Sequence, residues 1–187
     1  MMRITQGTQK DCKLISDLAS ETFLNTYSKI NPENSELLRA YVLKNFHEEK
    51  ISQEMGRIGV AFLLMKEGDH ILGYAKTIKD KESLEIEKLY MIEGVMGQGL
   101  GLIFFEHILA QAKHEKITKI WLGVYDQNHR AIRFYERLGF KKTGDRSFKF
   151  SWNGQDYEDN DWIMETDVVS DKGSGQLKKE SSKQNQK

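Results

Sequence analysis

Up to about Met55 the apolar residues recur at helical spacing, and from Gly59 onward they alternate with polar residues in short runs, so the chain divides into a helical first third and a strand-rich remainder. Ile4 and its neighbours form a short edge-strand candidate. Thr8 can then cap a helix from about Gln9 to Tyr27, with Leu14, Ile15, Leu18, Phe23 and Leu24 on or near one face. Asn31-Pro32 breaks that pattern, and helical spacing resumes at Leu37, Leu38, Tyr41 and Val42 and again from Glu48 to Met55. Val60 to Met65, a Gly68-Asp69 turn and Ile71 to Ile78 predict a hairpin, and Ser83 to Met91 adds a third strand.

A Gly-rich loop follows at Gly94 to Gly101, and Leu102 to Ala112 is apolar on a broad face, as expected for a helix buried against a sheet. Ile117 to Tyr125 predicts a strand, Asn128 to Leu138 a short helix, and the segments around Phe148 to Trp152 and Trp162 to Glu165 two closing strands. The order β, helices, β, β, β, loop, α, β, α, β, β is that of an α/β domain covering residues 1–169. Ser170 to Lys187 is Ser, Gly, Gln and Lys with almost nothing apolar, a composition that predicts a disordered polar tail.

Composition narrows the function. A chain of 187 residues with 39% hydrophobic content suits one domain with a real core. Lys plus Arg and Asp plus Glu both total 28, so net charge gives no reason to expect nucleic acid or an anionic membrane as partner. The neutrality is uneven: the last 18 residues hold five lysines against two acids, a surplus of +3, which leaves −3 on residues 1–169 and mildly favours a cationic substrate. The single cysteine, Cys12, excludes an intrachain disulfide and a multi-cysteine zinc site. The histidines form no metal-binding spacing, so no metal is expected. Without a long apolar span or the apolar core of a signal peptide, the reading is a cytoplasmic protein.

The stretch from Leu89 through Tyr90 and Met91 to Met96-Gly97-Gln98-Gly99-Leu100-Gly101 runs from a strand end into a helix start. Unpaired N–H groups and the helix dipole at such a junction favour a phosphate, and glycines let it approach the backbone. A triphosphate-binding loop would need Gly-Lys-Ser/Thr where Gly101-Leu102-Ile103 stands, and a dinucleotide fingerprint would need glycine where Phe104 stands. A tight turn with no ligand is the plainer alternative. Downstream, Asn128-His129-Arg130-Ala131-Ile132-Arg133-Phe134-Tyr135-Glu136-Arg137-Leu138-Gly139-Phe140 reads as a capped helix with Ala131, Phe134, Tyr135 and Leu138 on one face. Taken alone, Tyr135 could be a core aromatic and Asn128 simply a cap.

Together these segments resemble motifs A and B of the GNAT superfamily of N-acetyltransferases. Within it, Ile120 to Val124, the early residues Phe23, Thr26, Tyr27 and Asn31, and the late pair Asp161 and Met164 are most similar to the PaiA-type polyamine N-acetyltransferases. The resemblance implies a GNAT fold with a central mixed, mostly antiparallel sheet, acetyl-coenzyme A as cosubstrate, and an amine acceptor such as spermidine. A protein N-terminus, a lysine side chain or another small amine is the alternative acceptor, and a non-catalytic acyl-coenzyme A-binding module the alternative function. It assigns cofactor contacts to Leu89, Tyr90, Met91, Met96 to Gly101, Asn128 and Tyr135. Acceptor contacts fall on Phe23, Tyr27 and Glu87. Tyr135 is implied as general acid towards the leaving thiolate and Glu87 as the base, with Glu85 on the same strand face as its substitute. Domains of this kind often form homodimers. Met96 departs from the motif, which has Gln or Arg at that position.

Overall fold

A computed structural model describes residues 1–169, with the side chains of Gln155 and Asp156 left aside; the expected polar tail lies outside the described residues. Strand β1 (Met2–Gln6) leads into helices α1 (Cys12–Ile30), α2 (Ser35–Asn45) and α3 (Glu48–Met55). The chain continues through β2 (Val60–Glu67), β3 (His70–Asp80), β4 (Ser83–Met91), α4 (Leu100–His114), β5 (Lys119–Tyr125), α5 (His129–Arg137), β6 (Lys141–Trp152) and β7 (Gln155–Asp167).

The first helix begins later than its apolar pattern suggests. A single 3-10 turn takes Gln9–Asp11, because the Asp11 carboxylate accepts from both the backbone N–H and the hydroxyl of Thr8 at 2.8 Å and holds the entry tight. Its end is also later, at Ile30, since nothing stops it before Asn31-Pro32. The last strand pair is much longer than the aromatic clusters that announced it, because β6 is an edge strand whose first half is polar and is held by backbone pairing to β7. The fifth strand starts at Lys119, after Ile117.

All seven strands form one sheet in the order β1-β2-β3-β4-β5-β7-β6. Helices α4 and α5 cover one face, over a core that includes Phe104, Ile108, Ile120, Leu122 and Ile132. Helices α1 to α3 cover the other, over Ile15, Leu18, Phe46, Leu64 and Tyr74. Every neighbouring pair is antiparallel except β4 and β5, whose parallel pairing stops after Ser83, Leu84 and Glu85 meet Lys119, Ile120 and Trp121. Beyond Glu85 the two central strands therefore diverge, leaving unpaired backbone edges in the middle of the sheet.

The fourth strand also carries a bulge. Lys76 faces Lys88 while its neighbour Thr77 faces Ile86, so Glu87 is the extra residue. The bulge reverses the alternation: Leu84 and Ile86 before it and Leu89 and Met91 after it pack on the α4 side. Glu85, Glu87, Lys88 and Tyr90 are left on the opposite face, where they line a common cavity.

Candidate active site

The fourth strand feeds a short turn at Glu93–Val95 and then Met96 to Gly99, where helix α4 starts. Gly97 and Gly99 have φ of +85° and +80°, values an L side chain rarely adopts, and a Cβ at either would meet nothing within 4 Å. The loop is thus an open concave surface of backbone. At the helix start Leu102 and Ile103 are the first residues to donate back, both to the Gly99 carbonyl, so the N–H groups ahead of them have no intrahelical acceptor. With the positive end of α4 behind it, this cradle fits a pyrophosphate, and the divergence of β4 and β5 beside it leaves strand edges for an extended amide-bearing arm. Leu89 and Met91 turn their side chains into the α4-side core, leaving their backbone as what they can offer a ligand.

Asn128 caps α5, its side chain accepting from the Ala131 N–H at 3.2 Å, which leaves the side-chain amide as a donor. Of the face expected on this helix, Tyr135 is buried and Ala131, Phe134 and Leu138 are half-buried; Ile132, not singled out by spacing, is buried more deeply than any of these. Edge-on rings of Phe134 and Phe140, with centroids 5.2 and 5.5 Å away, fix the Tyr135 ring. Burial pushes its phenol well above the ordinary tyrosine value, with Tyr27 adding to the rise. Tyr135 and Tyr27 belong to helices on opposite faces of the sheet and still act on each other electrostatically, across a sheet whose central strands leave a gap between β4 and β5.

On the α1 side of that gap lies a cavity of about 450 Å³. Phe23 and Tyr27 of α1 form one wall, with ring centroids 4.4 Å apart, and Tyr41 of α2 stacks on Phe23 at 5.0 Å. Phe148 and Phe150 of β6 meet Tyr41 edge-on, both at 5.6 Å. The Asn31 side chain donates to the Tyr125 hydroxyl at 3.1 Å. The cavity therefore gathers the expected Phe23, Tyr27, Glu85 and Glu87. It adds residues the sequence reading passed over, among them Tyr41, Tyr125, Arg146 and the β6 aromatics. Their signal was the alternation of Phe148, Phe150 and Trp152 on an edge strand, and a glycine, Gly123, inside β5. A Cβ at Gly123 would collide with the Arg146 guanidinium, which crosses that position to donate to Asp161 at 2.9 Å.

The carboxylates of this cavity are driven apart. Burial pushes the Glu85 carboxyl up, and the neighbouring Glu87 charge adds to the rise. Burial acts on Glu87 in the same direction, but the ammonium groups of Lys88 and Lys76 outweigh it and hold Glu87 below the usual carboxylate range. Asp159 is raised by burial, despite a hydrogen bond from Tyr125 that favours its ionised form. Among the described residues no group of three or more His, Cys, Asp or Glu side chains is placed to hold a metal ion, and no helix is long and apolar enough to cross a membrane.

A phosphate cradle, a split central sheet and a tyrosine at the split define an acyl-coenzyme A-dependent transferase, and comparison with known proteins gives the family. Residues 18–140 match the acetyltransferase (GNAT) family profile, and the chain belongs to that family. It is 29% identical over 161 residues to an uncharacterised N-acetyltransferase of Mycobacterium tuberculosis, covering 85% of this chain and 99% of the relative. The fold is shared with a PaiA N-acetyltransferase from Thermoplasma acidophilum in complex with coenzyme A, at a TM-score of 0.75 and 20% identity over 89% of this chain and 99% of that one. It is also shared with the ribosomal-protein-S18-alanine N-acetyltransferase of Escherichia coli, at a TM-score of 0.66 and 18% identity over 94% and 98%. The protein is a GNAT N-acetyltransferase with acetyl-coenzyme A as cosubstrate.

Proposed function

We propose that the protein acetylates a primary amine on a cationic small molecule, a polyamine such as spermidine, in the cytoplasm. The observation that carries this reading is the cavity itself: aromatic rings and carboxylates line a space of about 450 Å³ that opens on the gap between β4 and β5. Aromatic faces attract an ammonium, and carboxylates pair with it. Phe23 and Tyr27 would bind the chain of the acceptor, and Glu87 would draw in its reacting ammonium.

The backbone of Leu89 to Met91 and of Met96 to Gly101, with the Asn128 side chain, would hold acetyl-coenzyme A, whose thioester supplies the activated acetyl group. The amine must lose a proton before it attacks. Glu87, ionised across the physiological range, receives that proton directly or through water, and Glu85 on the same face is the second carboxylate. Backbone N–H groups near Tyr90 or Met91 stabilise charge on the carbonyl oxygen. Tyr135 donates its phenolic hydrogen bond to the departing sulfur. Because its proton is held more tightly than a thiol holds its own, near pKa 8.5, transfer to the sulfur is completed as the attacking nitrogen gives up its second proton to the Tyr135 phenolate, directly or through water, and keeps the one N–H of the product amide. No side-chain nucleophile is needed, so the amine attacks directly with both substrates bound.

The test is release of coenzyme A thiol from acetyl-coenzyme A with spermidine, with an alanine-terminated peptide, and with no acceptor. Spermidine-dependent release supports the reading, and release only with the peptide replaces it with an N-terminal acetyltransferase.

A further inference from the structure

Behind the wall that carries Glu87 lies a buried ion cluster that the reaction as described does not use. The Lys76 side chain of β3 is only 4% exposed, and its ammonium lies 2.6 Å from Glu87 Oε2 and 2.8 Å from Glu54 Oε2 of α3. It also sits 5.7 Å from the centre of the Phe62 ring. A small cavity of about 60 Å³ adjoins these three side chains and is lined as well by the hydroxyl-bearing Tyr74. That hydroxyl is the buried side-chain polar atom left without a hydrogen bond among the described residues.

Stability alone is a poor explanation for such a cluster. Removing three charges from water costs more than an apolar side chain packed on Phe62 and Ile51 would, and replacing buried ion pairs by apolar groups is often neutral or stabilising. What the cluster does is fix Glu87, which as the bulged residue of β4 lacks a partner in the strand ladder that would otherwise define its direction.

We propose that Lys76 is a positioning residue for acceptor activation: a buried ammonium, anchored from behind by Glu54, that clamps the Glu87 carboxylate on the cavity wall. The proposal rests on the reading of Glu87 as the group that receives the acceptor's proton. One carboxylate oxygen is engaged by Lys76, and the other lies 3.4 Å from Lys88, which lines the larger cavity together with Glu87. A clamped, ionised Glu87 presents a fixed negative charge where the acceptor ammonium arrives. The other groups acting on it are Glu85 and Lys88 of β4, Tyr41 of α2 and Tyr74 of β3, with Arg146 of β6 and Asp161 of β7 across the cavity. Lys88 and Arg146 remain when Lys76 is changed, and Glu54, whose charge Lys76 also balances, then adds to the rise at Glu87.

The experiment is a carboxyl-carbon NMR titration of the full chain, with the Glu87 signal assigned by Glu87→Gln, alongside the pH dependence of kcat/KM for spermidine. Lys76→Gln raises the Glu87 midpoint by about one pH unit or more, the effect of losing an adjacent opposite charge. It also brings an acid limb into kcat/KM that the wild-type protein lacks over the same range, because Glu87 then ionises at higher pH. Lys76→Arg keeps the wild-type profile, Glu54→Gln does not raise the midpoint, and Lys76→Gln combined with Glu87→Gln loses the new limb. An unmoved Glu87 midpoint in folded Lys76→Gln overturns the proposal. Should that variant not fold, a wild-type Glu87 midpoint at or above the ordinary glutamate value of about 4.3 overturns it equally. If no amine is turned over, the proposed function fails while the titration still decides the role of Lys76.

Discussion

Arg130 Nη1 donates to the thioether sulfur of Met96 at 3.2 Å. Helix α5 thus places a guanidinium against the first residue of the cofactor loop, where the motif has a polar side chain and this chain has a methionine. Thioether sulfur is a weak acceptor, so the guanidinium can turn to a stronger one. Arg130→Ala should raise KM for acetyl-coenzyme A about ten- to a hundredfold, the worth of one charge-assisted hydrogen bond to phosphate, with kcat unchanged. Steady-state kinetics at fixed ionic strength checks this, and an unchanged KM removes Arg130 from the cofactor site.

Gly99 is both a conformational requirement and part of the cradle floor. Its left-handed conformation costs an alanine about 1–2 kcal/mol, and the added methyl would stand in space that is open in the structure. Gly99→Ala should lower thermal stability modestly and weaken coenzyme A binding by a larger factor than that stability loss accounts for. Calorimetric unfolding and titration calorimetry separate the two effects.

At Gly123 the outcome is the reverse. A Cβ there meets the far end of the Arg146 side chain, which can move aside, so Gly123→Ala should change stability by less than about 1 kcal/mol. Displacing Arg146 frees Asp161 within the acceptor cavity. The expected result is a severalfold change in KM for the amine with KM for acetyl-coenzyme A held, read from kinetics with each substrate varied in turn.

The cap at the start of α1 gives a pH test of stability. The backbone N–H of Thr8 and then its hydroxyl hold the Asp11 carboxyl below the ordinary aspartate value. A depressed folded-state pKa stabilises at pH above the unfolded value of about 3.9 and is lost as pH falls through the folded value. Asp11→Asn should therefore cost about 1 kcal/mol at pH 7, typical of a helix cap, and nothing once wild-type Asp11 is protonated. Urea unfolding at pH 7 and at a series of falling acid pH values measures both, the difference between the two proteins shrinking as pH falls.

The elements around the cofactor were legible because their signals are local. The alternation in Ser83–Met91 gave β4 with both ends placed, and the glycines with the Asn128 cap gave the two helix starts of the candidate site. What escaped depends on residues far apart in the chain. The bulge at Glu87 marks the sequence of β4 only as a one-residue slip between Leu84, Ile86 and Leu89, Met91, and is defined by the register with Lys76 and Thr77. The burial of Lys76 depends on Glu54, which arrives on a separate helix. The polar half of β6 has no apolar alternation to announce it, yet it carries Arg146 into the cavity lined by Phe23, Tyr27 and Glu87.

The central claim is that Tyr135 serves the leaving group at the point where the cofactor cleft meets the acceptor cavity. The measurement is kcat of Tyr135→Phe in the spermidine-dependent thiol-release assay, with coenzyme A affinity measured on the same protein. Loss of a general acid predicts a fall in kcat of at least about a hundredfold with affinity within about threefold, since the ring and its packing on Phe134 and Phe140 are kept. An unchanged kcat in a variant that still binds coenzyme A would contradict the account.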